Sequence, residues 1–339
     1  MDNDNLPANT GSSAVNPIKA ASNIMGARLT ALKPIQYSAR VTRKNPAAII
    51  LMIDQSASMS DLITNGYGIT KPKSQALAEV VNELFESLLM KCLKDELYRD
   101  YFNFLVIGYG NEFDDSNVSI VWEGNLQGSI WVNVNDLASN LLRKDSVVKK
   151  QTMPWGEIKE SIVTRKVWIN PSDDGSCTPM LEAFKLCKQK VEEWVESHKE
   201  SFPPLVFNIT DGKPTDVDNI EDLVEICNEI KMISTNDGAT LLFNCLLPDA
   251  NNLEVILPAD FERQLLESEE YHLALFDATS YLPKNMRMAA YESFDKNEKY
   301  LENEVKGVII NSSISSLVKL LNIGTNTTES NDRLSINGV

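Results

Sequence analysis

The chain has 339 residues, 43% hydrophobic and 24% charged, which is length and apolar content enough for a substantial buried core. Its formal net charge is −16. A surface of that sign repels phosphate backbones and anionic lipid, so nucleic-acid and membrane-surface binding fall outside the expected functions.

The five cysteines, Cys92, Cys177, Cys187, Cys227 and Cys245, include no CxxC pair and sit mostly in apolar segments. They read as reduced core thiols. The first residues lack the basic start and apolar run of a secretion signal. No stretch approaches the roughly 18 apolar residues of a membrane span. The expected location is therefore the cytoplasm.

Residues 1–34 are rich in Asn, Ser, Ala and Gly and read as a flexible segment. Tyr37 to Thr42 suggests a short edge strand. Ala47 to Ile53 is a continuous apolar run ending abruptly at Asp54, the pattern of a central strand buried on both faces. Leu77, Val81, Leu84, Leu88 and Cys92 recur at helical spacing, predicting an amphipathic helix over 74–95. Phe102 to Tyr109 predicts a strand stopped by Gly110 and Asn111. From about 110 to 170 the pattern is an insertion or elaborated crossover, with strands at 119–122 and 161–169 and a short helix at 134–143.

Regular alternation returns after that. Pro179 to His198 predicts a helix, Leu205 to Ile209 a buried strand, and Ile220 to Ile233 a helix. Thr240 to Leu247 predicts a strand and 264–278 a partly helical stretch. Val305 to Ile310 predicts a last strand and Ile314 to Leu321 a last helix. Residues 324–339 read as a polar tail. Apolar strands alternating with amphipathic helices give the expected fold class: α/β and Rossmann-like, a mostly parallel sheet with helices on both faces, occupying residues 35–323.

In such sheets ligands bind outside the carboxyl ends of the strands. Three loops at that end carry hard oxygen donors. Asp54, Ser56 and Ser58 follow the central strand, and their alternation places them on one side of an extended segment. Thr178 precedes the Pro179 helix. Asp211 and Gly212 follow the 205–209 strand. Two carboxylates and three hydroxyls suit Mg²⁺, with Mn²⁺ as the substitute ion, because a small hard cation takes oxygen ligands and keeps some water.

The order Asp-x-Ser-x-Ser, then a distant Thr, then a distant Asp-Gly resembles the metal-ion-dependent adhesion site of von Willebrand factor A (vWA) domains. IGYG at 107–110, CTPM at 177–180, FPPLVFNITDGKPTD at 202–216, LLFNC at 241–245 and LPKNMR at 282–287 are similar to segments of bacterial stand-alone intracellular vWA proteins of the tellurium-resistance-associated type. Such proteins are commonly encoded beside a PP2C-type phosphatase and a Ser/Thr kinase. The resemblance spans roughly residues 35–323. It implies a vWA fold, a metal held by Asp54, Ser56, Ser58, Thr178 and Asp211, and a partner protein whose Asp or Glu carboxylate completes the coordination. It also implies a place in a kinase- or phosphatase-linked stress or defence system. Two positions depart from the family pattern: Ala57 stands where Gly is usual, and Ser176-Cys177-Thr178 stands for Gly-Gly-Thr.

Plainer readings compete at each position. A DxSxS pattern arises by chance in about one chain in ten of this composition. Thr178 before Pro179 is an ordinary helix cap, and Asp211-Gly212 an ordinary polar turn. The three features in order favour the metal site. Asp216 and Asp218 read as a solvated helix start. The pairs Asp114-Asp115 and Asp173-Asp174 read as solvated loops. Tyr109 and Trp155 are candidates for the rim above the metal, but packing is the plainer reading. Cys177 reads as an inert neighbour of Thr178.

Two functions follow. The first is a Mg²⁺-dependent protein-interaction module, with no catalytic residues, whose specificity lies in the 110–170 insertion. The alternative is a metal-dependent phosphoester hydrolase. Against it, the two histidines, His198 and His272, lie outside any motif, position 56 is Ser rather than a second carboxylate, and no GxxxxGK(S/T) loop is present.

Overall fold

A computed structural model describes residues 37–64, 68–113, 116–152, 158–248, 254–267 and 269–326. The segment before residue 37 and the tail beyond 326 lie outside the described residues, as do Asp114, Asp115 and Trp155.

The centre is strand β1 (Ala47–Asp54), every residue of which is buried. Its side chains alternate between two cores. Ala47, Ile49, Leu51 and Ile53 enter one, and Ala48, Ile50 and Met52 the other. A strand that buries both faces has no polar position to spare, which is why the sequence runs apolar without alternation. Each fully buried Leu or Ile contributes about 1.5–3 kcal/mol relative to exposure.

The hairpin β2 (Leu62–Thr64) and β3 (Thr70–Pro72) leads directly into α1 (Lys73–Cys92). The remaining sheet strands are β4 (Phe102–Phe113), β5 (Ser116–Ile120), β6 (Val132–Asn133), β9 (Leu205–Thr210), β10 (Leu241–Leu246), β11 (Val255–Ile256) and β12 (Val308–Ile310). The spatial order is β11-β12-β10-β9-β1-β4-β5, with β6 also paired to β4. The five strands from β12 to β4 are parallel. Strands β5, β6 and β11 are antiparallel additions. The architecture is thus mixed α/β with a mostly parallel sheet, as the alternation of elements predicts.

Helices cover both faces. On one side α1 packs Leu77, Val81, Leu84 and Leu88 against β1, joined by Leu317, Leu320 and Leu321 of α6 (Ile314–Asn326). On the other side lie Phe184, Cys187 and Val191 of α3 (Met180–Ser197) and Leu223, Cys227 and Ile230 of α4 (Ile220–Met232). Helix α5 (Glu270–Ala278) adds Tyr271 and Leu275 to that face. The chain leaves β1 for β4 on one side and reaches β9 on the other. The carboxyl end of β1 is therefore the switch point where an open α/β sheet has its crevice.

Several expected elements differ. Tyr37 to Thr42 form no strand, because the amides of Ser38 and Ala39 are taken by the Asp237 carboxylate at 2.9 Å each. Strand β4 does not stop at Gly110 but runs on to Phe113, with a register shift beyond Tyr109. The last helix continues to Asn326 instead of ending at Leu321.

The stretch after Tyr109 resolves into sheet strands β5 and β6, the short helix α2 (Val134–Ser139), and a separate hairpin of β7 (Arg143–Thr152) with β8 (Ile158–Val167). That hairpin leans on α1 through Arg165–Glu79 at 3.0 Å and Lys166–Glu86 at 3.2 Å. It leaves Ile162 and Val148 well exposed. Four of the five cysteines are buried and all are free thiols. No helix among the described residues is long and apolar enough to cross a membrane.

Candidate metal centre

The last residue of β1 is Asp54, fully buried. Its Oδ1 accepts the Ser56 amide at 2.9 Å, and its Oδ2 accepts the Thr210 hydroxyl at 2.5 Å. Burial pushes the Asp54 carboxyl above its ordinary range. The bonds from Ser56 and Thr210 pull it back down, and the nearby Asp211 charge raises it again.

Only the first half of the Asp54–Ser58 segment is extended. Ser56 has φ −68 and ψ 161, and a 3₁₀ turn over Ala57–Ser60 follows. The alternation argument therefore holds for Asp54 and Ser56 but not for Ser58. The turn brings Ser58 round instead, with its Oγ 3.1 Å from Ser56 Oγ. Ser58 Oγ then donates to Asp211 Oδ1 at 2.7 Å. Ala57 lies outside the positive-φ residues, so the turn needs no glycine there.

Two glycines hold the loops together. The Gly175 amide donates to Gln55 O at 3.1 Å, and the Ala57 amide donates to Gly175 O at 2.8 Å, a one-residue parallel bridge. A Cβ on Gly175 would stand 2.2 Å from Gly110 O. Gly110 itself has φ +117, and a Cβ there would meet Ser56 N at 2.7 Å. Backbone approaches this close leave no room for a side chain.

Gly175 delivers Thr178, which is 6% exposed. Thr178 exchanges backbone bonds with Thr215: its amide donates to Thr215 Oγ1, and the Thr215 amide donates to Thr178 O, both at 2.9 Å. A Cβ built on Gly212 would lie 3.7 Å from Thr178 Oγ1, so the hydroxyl stands beside the Asp211–Gly212 turn. The plainer reading of Thr178 as the helix cap does not hold. The cap position is Pro179, and Asp216 takes the α3 amides of Leu181 at 3.1 Å and Glu182 at 2.9 Å. Asp216 is thus a helix cap in contact with protein rather than a solvated residue opening the next helix.

All five expected residues lie on the three loops at this end of the sheet. Asp54, Ser56, Ser58 and Asp211 share one hydrogen-bonded network, and Thr178 stands at its edge. Two participants escaped sequence reading. Thr210, the last residue of β9, orients Asp54. Lys73, the first residue of α1, places its Nζ 2.8 Å from Asp211 Oδ2, with side-chain exposures of 6% and 0%. A lysine at the start of a helix carries no sequence signal of this kind, because basic residues there usually face solvent.

Beneath the centre runs a buried polar chain across three strands. Tyr109 Oη donates to Asn208 Oδ1 at 2.8 Å, Asn208 Nδ2 to Asn244 Oδ1 at 3.0 Å, and Asn244 Nδ2 to Thr279 Oγ1 at 2.9 Å. Tyr109 therefore belongs to the core under the site and not to its rim. Burial first, and then the Asp54 charge, push its hydroxyl well above the usual tyrosine range. Beside the centre a cavity of about 760 Å³ is lined by Asp54, Gln55, Ser74, Trp122 and Asn170 among others. Cys177 accepts a bond from Asn117 Nδ2 at 3.2 Å and is half-buried. Asp173 takes the Ser74 hydroxyl at 2.7 Å, and Asp174 is exposed.

The donors are all oxygens, as a hard divalent ion requires. The Asp54 oxygens, which accept from Ser56 N–H and Thr210 Oγ1, and the serine oxygens keep acceptor capacity beyond these bonds. Among the described residues no group of three or more His, Cys, Asp or Glu side chains is placed to hold a metal ion. The fit to a metal therefore rests on two carboxylates supplemented by hydroxyls. Compared with known proteins, the chain matches no family model and no curated protein.

Proposed function

We propose that this chain is a vWA-type protein-interaction domain of the cytoplasm that holds Mg²⁺ through Asp54, Ser56, Ser58, Thr178 and Asp211. The observation that carries this reading is the buried Asp54 carboxylate at the switch point of the sheet, coupled to Asp211 and backed by serine hydroxyls. Lys73 meets one oxygen of Asp211, and the negative charge that the second carboxylate adds to the cluster favours a further cation. Bound there, Mg²⁺ or Mn²⁺ supplies a Lewis-acidic centre for a carboxylate of a partner protein. The tellurium-resistance resemblance makes a Ser/Thr kinase or PP2C-type phosphatase the class of partner to try first, in a stress or defence setting, by analogy.

The protein's own residues do the rest. Ser56 N–H and Thr210 fix the Asp54 carboxylate. Ser58 fixes Asp211. Gly110 and Gly175 press the three loops into one surface. The β7–β8 hairpin, with Ile162 and Val148 exposed, offers apolar contacts for partner selection.

Equilibrium dialysis of the full chain against Mg²⁺ and Mn²⁺ tests the assignment. Saturable binding of one ion that Asp54→Ala removes supports it. Equal uptake by the two proteins overturns it.

A further inference from the structure

The cavity beside the centre carries two polar groups that the fold itself does not use. Gln55 Oε1 and Trp122 Nε1 are buried and have no hydrogen-bond partner among the described residues. Both residues line this cavity, and they are only 7% and 3% exposed. A buried acceptor or donor without a partner loses its hydration for nothing, and folded proteins keep few of them. Here one acceptor and one donor stand on the walls of a single cavity of about 760 Å³, within the range of small-molecule sites.

The walls are tied to one another. Trp122 and Glu123 follow β5, and Glu123 accepts the Asn170 amide and the Asn170 Nδ2 at 2.6 Å each, which joins the 169–172 loop to the end of β5. Ser74, in the first turn of α1, donates to Asp173 Oδ2 at 2.7 Å and joins the same loop to the helix. Gln55 lies across Gly108 of β4. A Cβ on that glycine would stand 2.2 Å from Gln55 Oε1 and 2.6 Å from Val121 Cγ1, so the glycine leaves the room that the carboxamide fills. Phe85 backs Trp122, with ring centroids 5.7 Å apart. The two unused groups are therefore held in place by the fold, as a binding site requires.

The lining selects the class of ligand. Among the described residues no Lys, Arg or His lines the cavity, whereas Asp54 and Glu123 do, so an anion is repelled. A simple ammonium ion offers donors only and leaves the Trp122 N–H unanswered. A hydroxyl group serves both needs, giving its O–H to Gln55 Oε1 and a lone pair to the indole N–H. Ser119, Gln127 and Ser172 add further hydroxyl and carboxamide groups, while Leu77, Ile120 and Pro171 add apolar surface. That mixture meets both the hydroxyls and the C–H faces of a sugar ring. We propose that this cavity binds an uncharged polyhydroxylated molecule of the sugar class, held by Gln55 and Trp122. Neither side chain belongs to the oxygen-donor cluster, so the site stands apart from the metal assignment.

The test is ligand-observed NMR titration of the full chain in EDTA, so that no outcome depends on a metal. The probes are D-glucose, D-galactose, D-ribose, sucrose and myo-inositol, with D-gluconate as the anionic counterpart of glucose and uridine as a ring of another class. Wild type binds at least one of the uncharged polyols saturably and does not bind gluconate. Gln55→Met and Trp122→Phe each weaken that binding at least about tenfold, because each leaves a ligand hydroxyl without its partner. Without sugar, Gln55→Met melts no lower than wild type, since it removes an unpaired acceptor and no bond. If one variant fails to fold, the other and the contrast between glucose and gluconate decide the matter. Binding of none of the polyols at concentrations up to tens of millimolar overturns the proposal and leaves water as the occupant. So does gluconate binding as well as glucose, or uridine binding where no polyol does. Sugar binding that both variants retain at wild-type strength overturns its placement in this cavity.

Discussion

Ser58 Oγ donates to Asp211 Oδ1 at 2.7 Å, across 153 residues of chain. That bond joins the loop after β1 to the loop after β9, two strands that lie side by side. Asp54 and Asp211 are thereby held in one cluster before any ligand arrives. Pre-ordering of this kind removes cost from binding and places it on folding.

The first prediction concerns that folding cost. Asp54 is a carboxylate whose folded pKa is raised, chiefly by burial. The folded state therefore binds its proton more tightly than the unfolded chain does. Ionisation costs stability above the folded pKa, and the cost vanishes as pH falls below the ordinary carboxylate value. In EDTA at neutral pH, Asp54→Asn should melt at a higher temperature than wild type, because the amide keeps an acceptor for Ser56 N–H without the charge. Differential scanning calorimetry reads this directly, and an unchanged or lowered melting temperature would contradict it.

The glycines give the second. Gly175→Ala forces a methyl carbon to within 2.2 Å of Gly110 O, with backbone on both sides and nothing flexible to yield. The substitution should cost of order 2 kcal/mol or more in denaturant unfolding. Divalent-ion binding should weaken with it. Ala57→Gly is the contrast: the residue needs no left-handed backbone. Ala57→Gly should therefore leave Mg²⁺ affinity within about twofold, since no strain is there to relieve.

A third prediction follows from the polar chain under the site. Asn208 accepts from Tyr109 and donates to Asn244. Asn208→Ala strands the buried Asn244 amide oxygen and leaves the Tyr109 hydroxyl only its longer bond to Ile209 O at 3.4 Å. The expected loss is about 1–3 kcal/mol for each group left without its partner, measured by urea unfolding.

The fourth concerns alkaline pH. Lys231 and Lys306 both have pKa values lowered to about 8, chiefly by burial. Lys306 Nζ donates to Thr279 O at 2.8 Å, and Lys231 Nζ to Asp277 O at 3.0 Å. Between about 8 and the ordinary lysine value near 10.4 the unfolded chain binds more protons at these two lysines than the folded one does, so their contribution to stability rises with pH across that window. The buried thiols of Cys187, Cys227 and Cys245, pushed above their ordinary range, act in the opposite sense in wild type and variant alike. Lys306→Met lacks the lysine's share, so its melting temperature should lose ground to that of wild type from pH 7.5 to 9.5, and a constant difference between the two would refute this.

How much of this was legible in the sequence depends on the kind of signal. The buried strands announced themselves because Ala47–Asp54, Leu205–Thr210 and Leu241–Leu246 have no solvent face and so carry unbroken apolar runs. The oxygen donors were legible because each directly follows a strand or opens a helix. Strand β7 was not: Arg143 to Thr152 is polar and pairs only with β8 outside the main sheet, so nothing in it is patterned by a core. Ser58 was assigned to the right loop by an argument that applies only as far as Ser56, since the 3₁₀ turn ends the alternation. Lys73 was invisible because its role depends on a hairpin that aims α1, and hairpin aim is a tertiary property.

The most direct test of the central claim is retention of a partner from native lysate by the tagged full chain, run in Mg²⁺, in EDTA, and with Asp54→Ala in Mg²⁺. The account predicts a protein held by wild type in Mg²⁺, released by EDTA, and absent from the Asp54→Ala sample. A partner held equally in all three would place recognition on another surface and contradict metal-bridged binding.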